Sequence, residues 1–388
     1  MLRQSLRRVA AFVLPVALLA DGAAAQGPVY RSSVHDYRVV KVVDGFVNPW
    51  AIAFLPGGDM LVTERPGRLR LVRKGQLLPT PMAGAPTVVA AGQGGLLDVA
   101  LHPDFAQNRF VYLTYSKQVP GGSTTALYRA KFENDALVQG QDLFIAETRG
   151  RPGHFGSRIA FDRNGHVFLS VGERQAPPEG DLSKHPAQDL GNHHGKIIRL
   201  MDDGRVPSDN PFVGKAGAKP EIWSYGHRNP QGLIVHPVTG QLWETEHGPQ
   251  GGDELNLIEP GKNYGWPVVG FGVNYGPGKA IHASTMQQGM ENAKNVWVPS
   301  IATSGLLLYT GDKFTEWKGS LFVGGLAGQR LARVTLDGDK AEVAELLVRN
   351  QGRIRDVRQG PDGFIYLAID DQQGKPTPIV RLEPVARR

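Results

Sequence analysis

One short pattern occurs six times in this 388-residue chain: an apolar-alternating run, a turn of Pro, Asp, Asn or Gly, and a second β-prone run. The copies are residues 51–63 (AIAFLPGGDMLVT), 97–114 (LDVALHPDFAQNRFVYLT), 158–171 (RIAFDRNGHVFLSV), 233–245 (LIVHPVTGQLWET), 306–323 (LLLYTGDKFTEWKGSLFV) and 354–369 (IRDVRQGPDGFIYLAI). Period-two alternation around such turns is the hairpin signature, and nothing comparable argues for long amphipathic helices. A lone hairpin cannot bury its own apolar face, so repeated copies must pack on one another. Turns centred near Pro56, Pro103, Asp162, Pro237, Gly311 and Pro361 recur roughly every 61 residues. That exceeds the 40 to 50 residues of a simple four-stranded blade, which leaves room for four strands and one substantial loop per unit. Six units closing in a ring predict an all-β chain folded as a six-bladed β-propeller, with only short protected edges. A large β-sandwich or two β domains would be the alternative arrangement. Residues 37–43 (YRVVKVV) and 379–382 (IVRL) read as two further strands of one blade that closes the ring. With no Ser-rich or charged linker, residues 26–388 read as one domain.

The first 25 residues are of another kind. Arg3, Arg7 and Arg8 precede an apolar run of 12 residues, Val9 to Ala20, and Ala23, Ala24 and Ala25 supply small residues. This is the layout of a signal peptide, and the run falls short of the about 20 residues of a membrane span. The expectation is a cleaved leader, residues 1–25, and a periplasmic or secreted mature chain with no integral membrane segment. The total absence of cysteine removes disulfides, thiol nucleophiles and thiolate metal sites, so any metal must be held by oxygen or imidazole. The formal charge of +6 includes three arginines of the leader, and no long basic run follows, which argues against nucleic acid as a partner. Monomer and homodimer are both open.

Polar residues standing just before the innermost strand of each blade converge on one rim. Here they are Asn48, Gln93, His154, Arg228 with Asn229, Thr303, and Arg353 with Arg355. Three arginines offer forked donors for carboxylate or phosphate, and one histidine offers a base near neutral pH, so the expectation is an anionic ligand beside a base. Two plainer readings stay open: a rim histidine held by hydrogen bonds, and Arg353 and Arg355 paired with Asp356 or Asp370. Residues 246–264 (EHGPQGGDELNLIEPGKNY) are rich in oxygen donors and glycine, the composition of a hard-cation site in which Glu254 and nearby carbonyls could serve. The adjacent His193 and His194 lack metal-ligand spacing and read as structural.

Three motifs, GHRNPQG at 226–232, EHGPQGGDELN at 246–256 and NYGWP at 263–267, resemble the soluble aldose sugar dehydrogenases, quinoproteins of the glucose/sorbosone dehydrogenase family that use pyrroloquinoline quinone (PQQ). The likeness runs from Asn48 to about Leu382 and includes GQGGLLDVALHPDF at 92–105, HFG at 154–156 and RIRDV at 353–357. It implies a six-bladed propeller that oxidises the C1 hydroxyl of an aldose to a lactone, with hydride passing to PQQ and electrons going on to an external acceptor, a quinone or a cytochrome. It implies His154 as the base, Glu173 as the acid that orients it, and Arg228 and Asn229 beside the PQQ carbonyl. Gln93, Arg353 and Arg355 would face the cofactor. An active-site Ca2+ would sit on the carbonyls of Gly248 and Pro249, and a second, structural one would use Glu254 and Tyr264.

This chain departs from the family pattern at three places. Ala327 stands where some relatives have a lysine for a PQQ carboxylate, with Arg330 nearby as a substitute cation. Gly153 stands where glucose-oxidising relatives have an acidic residue, so glucose preference does not transfer, and Thr303 leaves the sugar-contacting loop unassigned. Two other functions compete: a calcium-dependent propeller lactonase, and a non-catalytic ligand-binding propeller.

Overall fold

The structure is a computed structural model that describes residues 27–276 and 278–386; the expected leader lies outside the described residues. Five sheets have four antiparallel strands and the sixth has five. Each hairpin repeat supplies the first two strands of one sheet. These are Pro49–Phe54 with Met60–Glu64, Leu96–Leu101 with Phe110–Val119, Ile159–Phe161 with His166–Val171, Pro230–Val235 with Leu242–Glu246, Thr303–Leu308 with Leu321–Gly325, and Arg353–Gln359 with Ile365–Asp370. We number these blades 1 to 6 in that order. Their first strands neighbour one another around the ring, blade 6 meeting blade 1, which gives the expected six-bladed propeller. In blade 6, Asp36–Val47 pairs with Pro376–Val385, so the two ends of the chain close the ring together.

Why the strands pack this way follows from burial. Met60–Glu64 is buried at every position, because a middle strand of a blade is covered by a neighbouring blade on each face. The apolar contacts lie between blades. Leu61 and Leu71 share a cluster with Leu97, Val111 and Leu113, and Trp243 and Leu255 share one with Leu306, Leu321 and Val323. Among the described residues the one α-helix is Phe105–Asn108, inserted in the turn of the second repeat.

The central channel is plugged by charge. Arg158 Nη1 lies 2.8 Å from Asp356 and 3.4 Å from Asp98, while Arg358 reaches the same two carboxylates at 2.8 and 2.7 Å. Asp356 Oδ2, which holds Arg358, also accepts from the backbone N–H of Ile52 at 2.9 Å, and the second oxygen of Asp98 accepts from that of Ile159 at 2.8 Å. Asp356 is therefore not the partner of Arg353 or Arg355, as one reading of the sequence allowed, because a register shift in the first strand of blade 6 turns it into the channel. The plug separates a polar cavity of about 310 Å³ at one mouth from an apolar one of about 480 Å³ at the other, lined by Ile52, Val99, Leu101 and Ile234. His193 spans Glu221 and the N–H of Glu147 at 2.8 Å each, and His194 accepts from Arg149 N at 3.0 Å.

Candidate active site

The polar mouth is assembled from loops that enter the innermost strands. His154 sits in the left-handed region, with φ 48°, on a loop pinned by the buried Arg174. That guanidinium donates to the carbonyls of Gly153 and Arg151 at 2.9 and 2.7 Å and stacks 3.9 Å from the Phe155 ring. Gly172 lets the loop approach, since a Cβ there would lie 2.3 Å from the His154 carbonyl oxygen. His154 Nδ1 is 2.9 and 2.8 Å from the two oxygens of Glu173, which is 1% exposed. A buried carboxylate at this distance takes the Nδ1–H, leaving the Nε2 lone pair as the basic site. Burial lowers the His154 pKa, with Arg228 and Arg174 acting the same way against the opposing pull of Glu173. For Glu173 burial acts upward, yet His154 and Arg228 outweigh it and keep the carboxyl below its usual range. Gln93 Oε1 accepts the backbone N–H of His154 at 2.9 Å, tying the base to the blade 2 loop.

Arg228 and Asn229 are held by a residue the sequence reading did not single out. The Glu246 carboxylate, 3% exposed, accepts the backbone N–H groups of Arg228 and Asn229 at 2.5 and 3.2 Å. Arg228 Nη1 donates to the carbonyls of His247 and Gly248 at 3.0 and 2.7 Å, and its guanidinium lies 5.1 Å from the Trp266 ring. Asn229 stands behind the wall, its oxygen accepting from Gly156 N at 3.2 Å and Gln231 Nε2 at 3.3 Å. Beside His154 a cavity of about 450 Å³ is lined by Gln93, Glu173, Gln175, Arg228, Trp266 and Tyr275.

Arg353 and Arg355 line the 310 Å³ cavity together with Trp50, Gln93, Gln231 and His247. Arg353 Nε is 3.7 Å from Asp370, and Arg355 Nη1 donates to Gln231 Oε1 at 3.1 Å. His247 contributes to both cavities. Its Nε2–H donates to the Thr303 carbonyl at 2.6 Å, and burial, with Arg355 and Arg228, pushes its pKa down to about 3. It is a neutral wall residue that the sequence signalled only through the EHGPQGG motif. Thr303 itself is fully buried, donating to the Glu246 carbonyl at 3.1 Å.

Gly248, Pro249, Glu254 and Tyr264 converge, with Glu246, on a space of about 10 Å³, roughly the room of one small sphere. The Tyr264 phenol is committed, donating to Leu257 O at 2.6 Å and accepting from Glu259 N at 2.9 Å, so its ligand atom would be the backbone carbonyl. Next to it lie three acids, Glu244 and Glu246 buried and Glu254 half-buried. Glu246 faces Glu254, and Glu244 faces Asn256, across adjacent strands, and His227, Glu244 and Glu246 present donor atoms within 4.8 Å of one another. Glu254 is pushed up to about 8 by burial and by Glu246, and Glu244 is raised for the same reasons. Glu244 Oε1 and Asn256 Oδ1 are buried without a partner. Buried carboxylates must be protonated or paired with a cation, and this set of oxygen donors fits calcium.

The family model described as Glucose / Sorbosone dehydrogenase matches residues 46–381. Aldose sugar dehydrogenase YliI of Escherichia coli is 42% identical over 345 residues, 87% of this chain and 91% of that protein. The solved apo-form of the soluble aldose sugar dehydrogenase from the same organism has a TM-score of 0.84 at 39% identity, covering 90% of this chain and all of that one. The PQQ-bound aldose sugar dehydrogenase of Streptomyces coelicolor has a TM-score of 0.72 at 29% identity, covering 90% of this chain and 98% of that one. With the family's match running over nearly all of the described propeller, the chain belongs to the glucose/sorbosone dehydrogenase family.

Proposed function

We propose that this protein oxidises the C1 hydroxyl of an aldose to a lactone, with PQQ and calcium as cofactors and an external electron acceptor. The observation that carries this reading is the junction of two cavities: the oriented, neutral His154 opens on one, and a wall of guanidinium groups lines the other. When bound, PQQ supplies the two-electron acceptor for hydride, and calcium on the Gly248 and Pro249 carbonyls supplies the positive charge that polarises it. The guanidinium groups of Arg353 and Arg355 suit the carboxylates of such a cofactor, and the same groups favour a dehydrogenase over a lactonase, whose chemistry needs no carboxylate clamp.

The chain's own residues do the following. His154 Nε2 accepts the C1 hydroxyl proton as hydride leaves the same carbon, and the Glu173 carboxylate stabilises the imidazolium that forms. General-base assistance of this kind contributes on the order of 10²- to 10⁴-fold. Arg228 brings positive charge to the junction, where negative charge develops, and Glu246 fixes its backbone. Arg174 and Gln93 hold the His154 loop in register. The leader-like N-terminus supports an exported enzyme working in the periplasm or outside the cell.

His154→Ala tests the reading. Turnover of aldoses by the PQQ- and calcium-loaded protein should disappear while PQQ still quenches tryptophan fluorescence. Wild-type turnover in the variant would remove His154 from the mechanism.

A further inference from the structure

The charge balance of the 310 Å³ cavity is uneven. Arg65, Arg353 and Arg355 face it against one carboxylate, Asp370, while His247 is held neutral. Asp370 is already engaged, by Asn48 Nδ2 at 3.0 Å and by Arg353 at 3.7 Å. The two other guanidinium groups rest on neutral oxygens: Arg65 Nη1 on the Gly92 carbonyl at 2.6 Å, and Arg355 on Gln231 Oε1 at 3.1 Å. They also oppose one another. The Arg355 pKa is pushed down to about 10 by burial; the Asp370 carboxylate acts against this, while Arg158, Arg353 and Arg65 add to it. Arg353 Nε is buried with no hydrogen-bond partner. Gathering like charges around a low-dielectric space is unfavourable unless an anion enters.

Arg65 directly follows the second strand of blade 1, Met60–Glu64, outside every motif quoted above. Its backbone is fixed, the N–H donating to Asn48 O and the carbonyl accepting from Leu96 N, both at 3.0 Å. Gly95 permits this packing, because a Cβ there would lie 1.8 Å from the Arg65 oxygen. Arg330, the cation nearest Ala327 in sequence, does not take this place. Its Nε donates to its own loop at Gly328 O, 2.8 Å away, and Leu326 forms the cavity wall on that side.

We propose that Arg65 is an anion-binding residue of this cavity, holding one carboxylate of a polycarboxylate whose other acid groups meet Arg353 and Arg355. A monocarboxylate would leave one of the two unpaired guanidinium groups without a counter-charge. The proposal rests on the PQQ reading above, in which the ligand is that planar tricarboxylate, and it assigns to Arg65 the charge that Ala327 lacks.

The test is a PQQ titration of the full-length protein in calcium, followed by quenching of tryptophan fluorescence, with Trp50 in the cavity wall as a reporter. Arg65→Ala and Arg65→Gln should each raise the PQQ Kd on the order of 30-fold, with Arg65→Lys between them and wild type, and all should melt within a few degrees of wild type. Log Kd should also depend less steeply on log salt in the Ala and Gln variants. Arg330→Ala should leave the Kd unchanged. Wild-type affinity in Arg65→Ala and Arg65→Gln, or an equal loss in Arg330→Ala, would overturn the Arg65 assignment alone. Wild-type protein that fails to bind PQQ at all would overturn the cofactor reading and this proposal with it.

Discussion

Replacing Glu173 by Gln keeps the shape of the group behind His154 and removes its charge. Both carboxylate oxygens lie 2.8 to 2.9 Å from Nδ1, and both residues are buried. With charge centres about 4 Å apart and an effective dielectric of about 20, the carboxylate favours the imidazolium by about 4 kcal/mol. A Gln oxygen can still accept from Nδ1–H, so the net loss should approach the roughly 1.5–3 kcal/mol of a hydrogen bond to a charged group. At 1.36 kcal/mol per tenfold, kcat should fall about 10- to 150-fold. The loss should appear in kcat and not in KM, because the imidazolium forms only as the proton moves. Glu173 is the partner that raises the His154 pKa, so its neutralisation should also move the acid limb of the kcat profile to lower pH. Steady-state dye reduction by the PQQ- and calcium-loaded variant, measured across pH, checks both expectations. A kcat within about threefold of wild type, or a loss confined to KM, would refute Glu173 as the group that stabilises the protonated base.

Other perturbations probe the rest of the molecule. In the wild type the base must be unprotonated, and burial lowers its pKa from the ordinary 6.5, so the acid limb of kcat should be centred below that value; an acid limb centred above 6.5 would exclude His154 as the base. Arg158→Leu removes one cation from the channel plug, and breaking a buried ion pair costs about 3–5 kcal/mol, to be read as a lower urea midpoint. Chelation should lower the melting temperature and calcium should restore it, by linkage worth about 2.7 kcal/mol at a hundredfold excess over Kd. Glu254→Gln should make the melting temperature insensitive to both additions.

The fold was legible because a blade is a local object. Alternation and turn residues mark each hairpin within 13 to 18 consecutive positions, and six similar units have few ways to bury their faces other than a ring. The rim positions of Gln93, His154, Arg228, Arg353 and Arg355 were legible for the same reason, since equivalent points in a repeat share one face. What a side chain meets across the channel is another matter. Asp356 pairs with Arg158, 198 residues away, because a one-residue register shift turns it inward, and no spacing rule reports that. Glu244 and Glu246 stand at alternate positions of one strand, a visible hint of a shared face, but their apposition to Glu254 and Asn256 depends on the register with the next strand. Glu246 grips Arg228 within one blade, because the hairpin register sets Glu246 opposite Pro230, whereas Arg65 takes its place in the cavity with Arg355 only when blades 1 and 6 are brought around one axis. Period-two alternation says which side of its own strand a residue occupies; ring closure and strand register set its partner, and so the charge, the pKa and the chemistry.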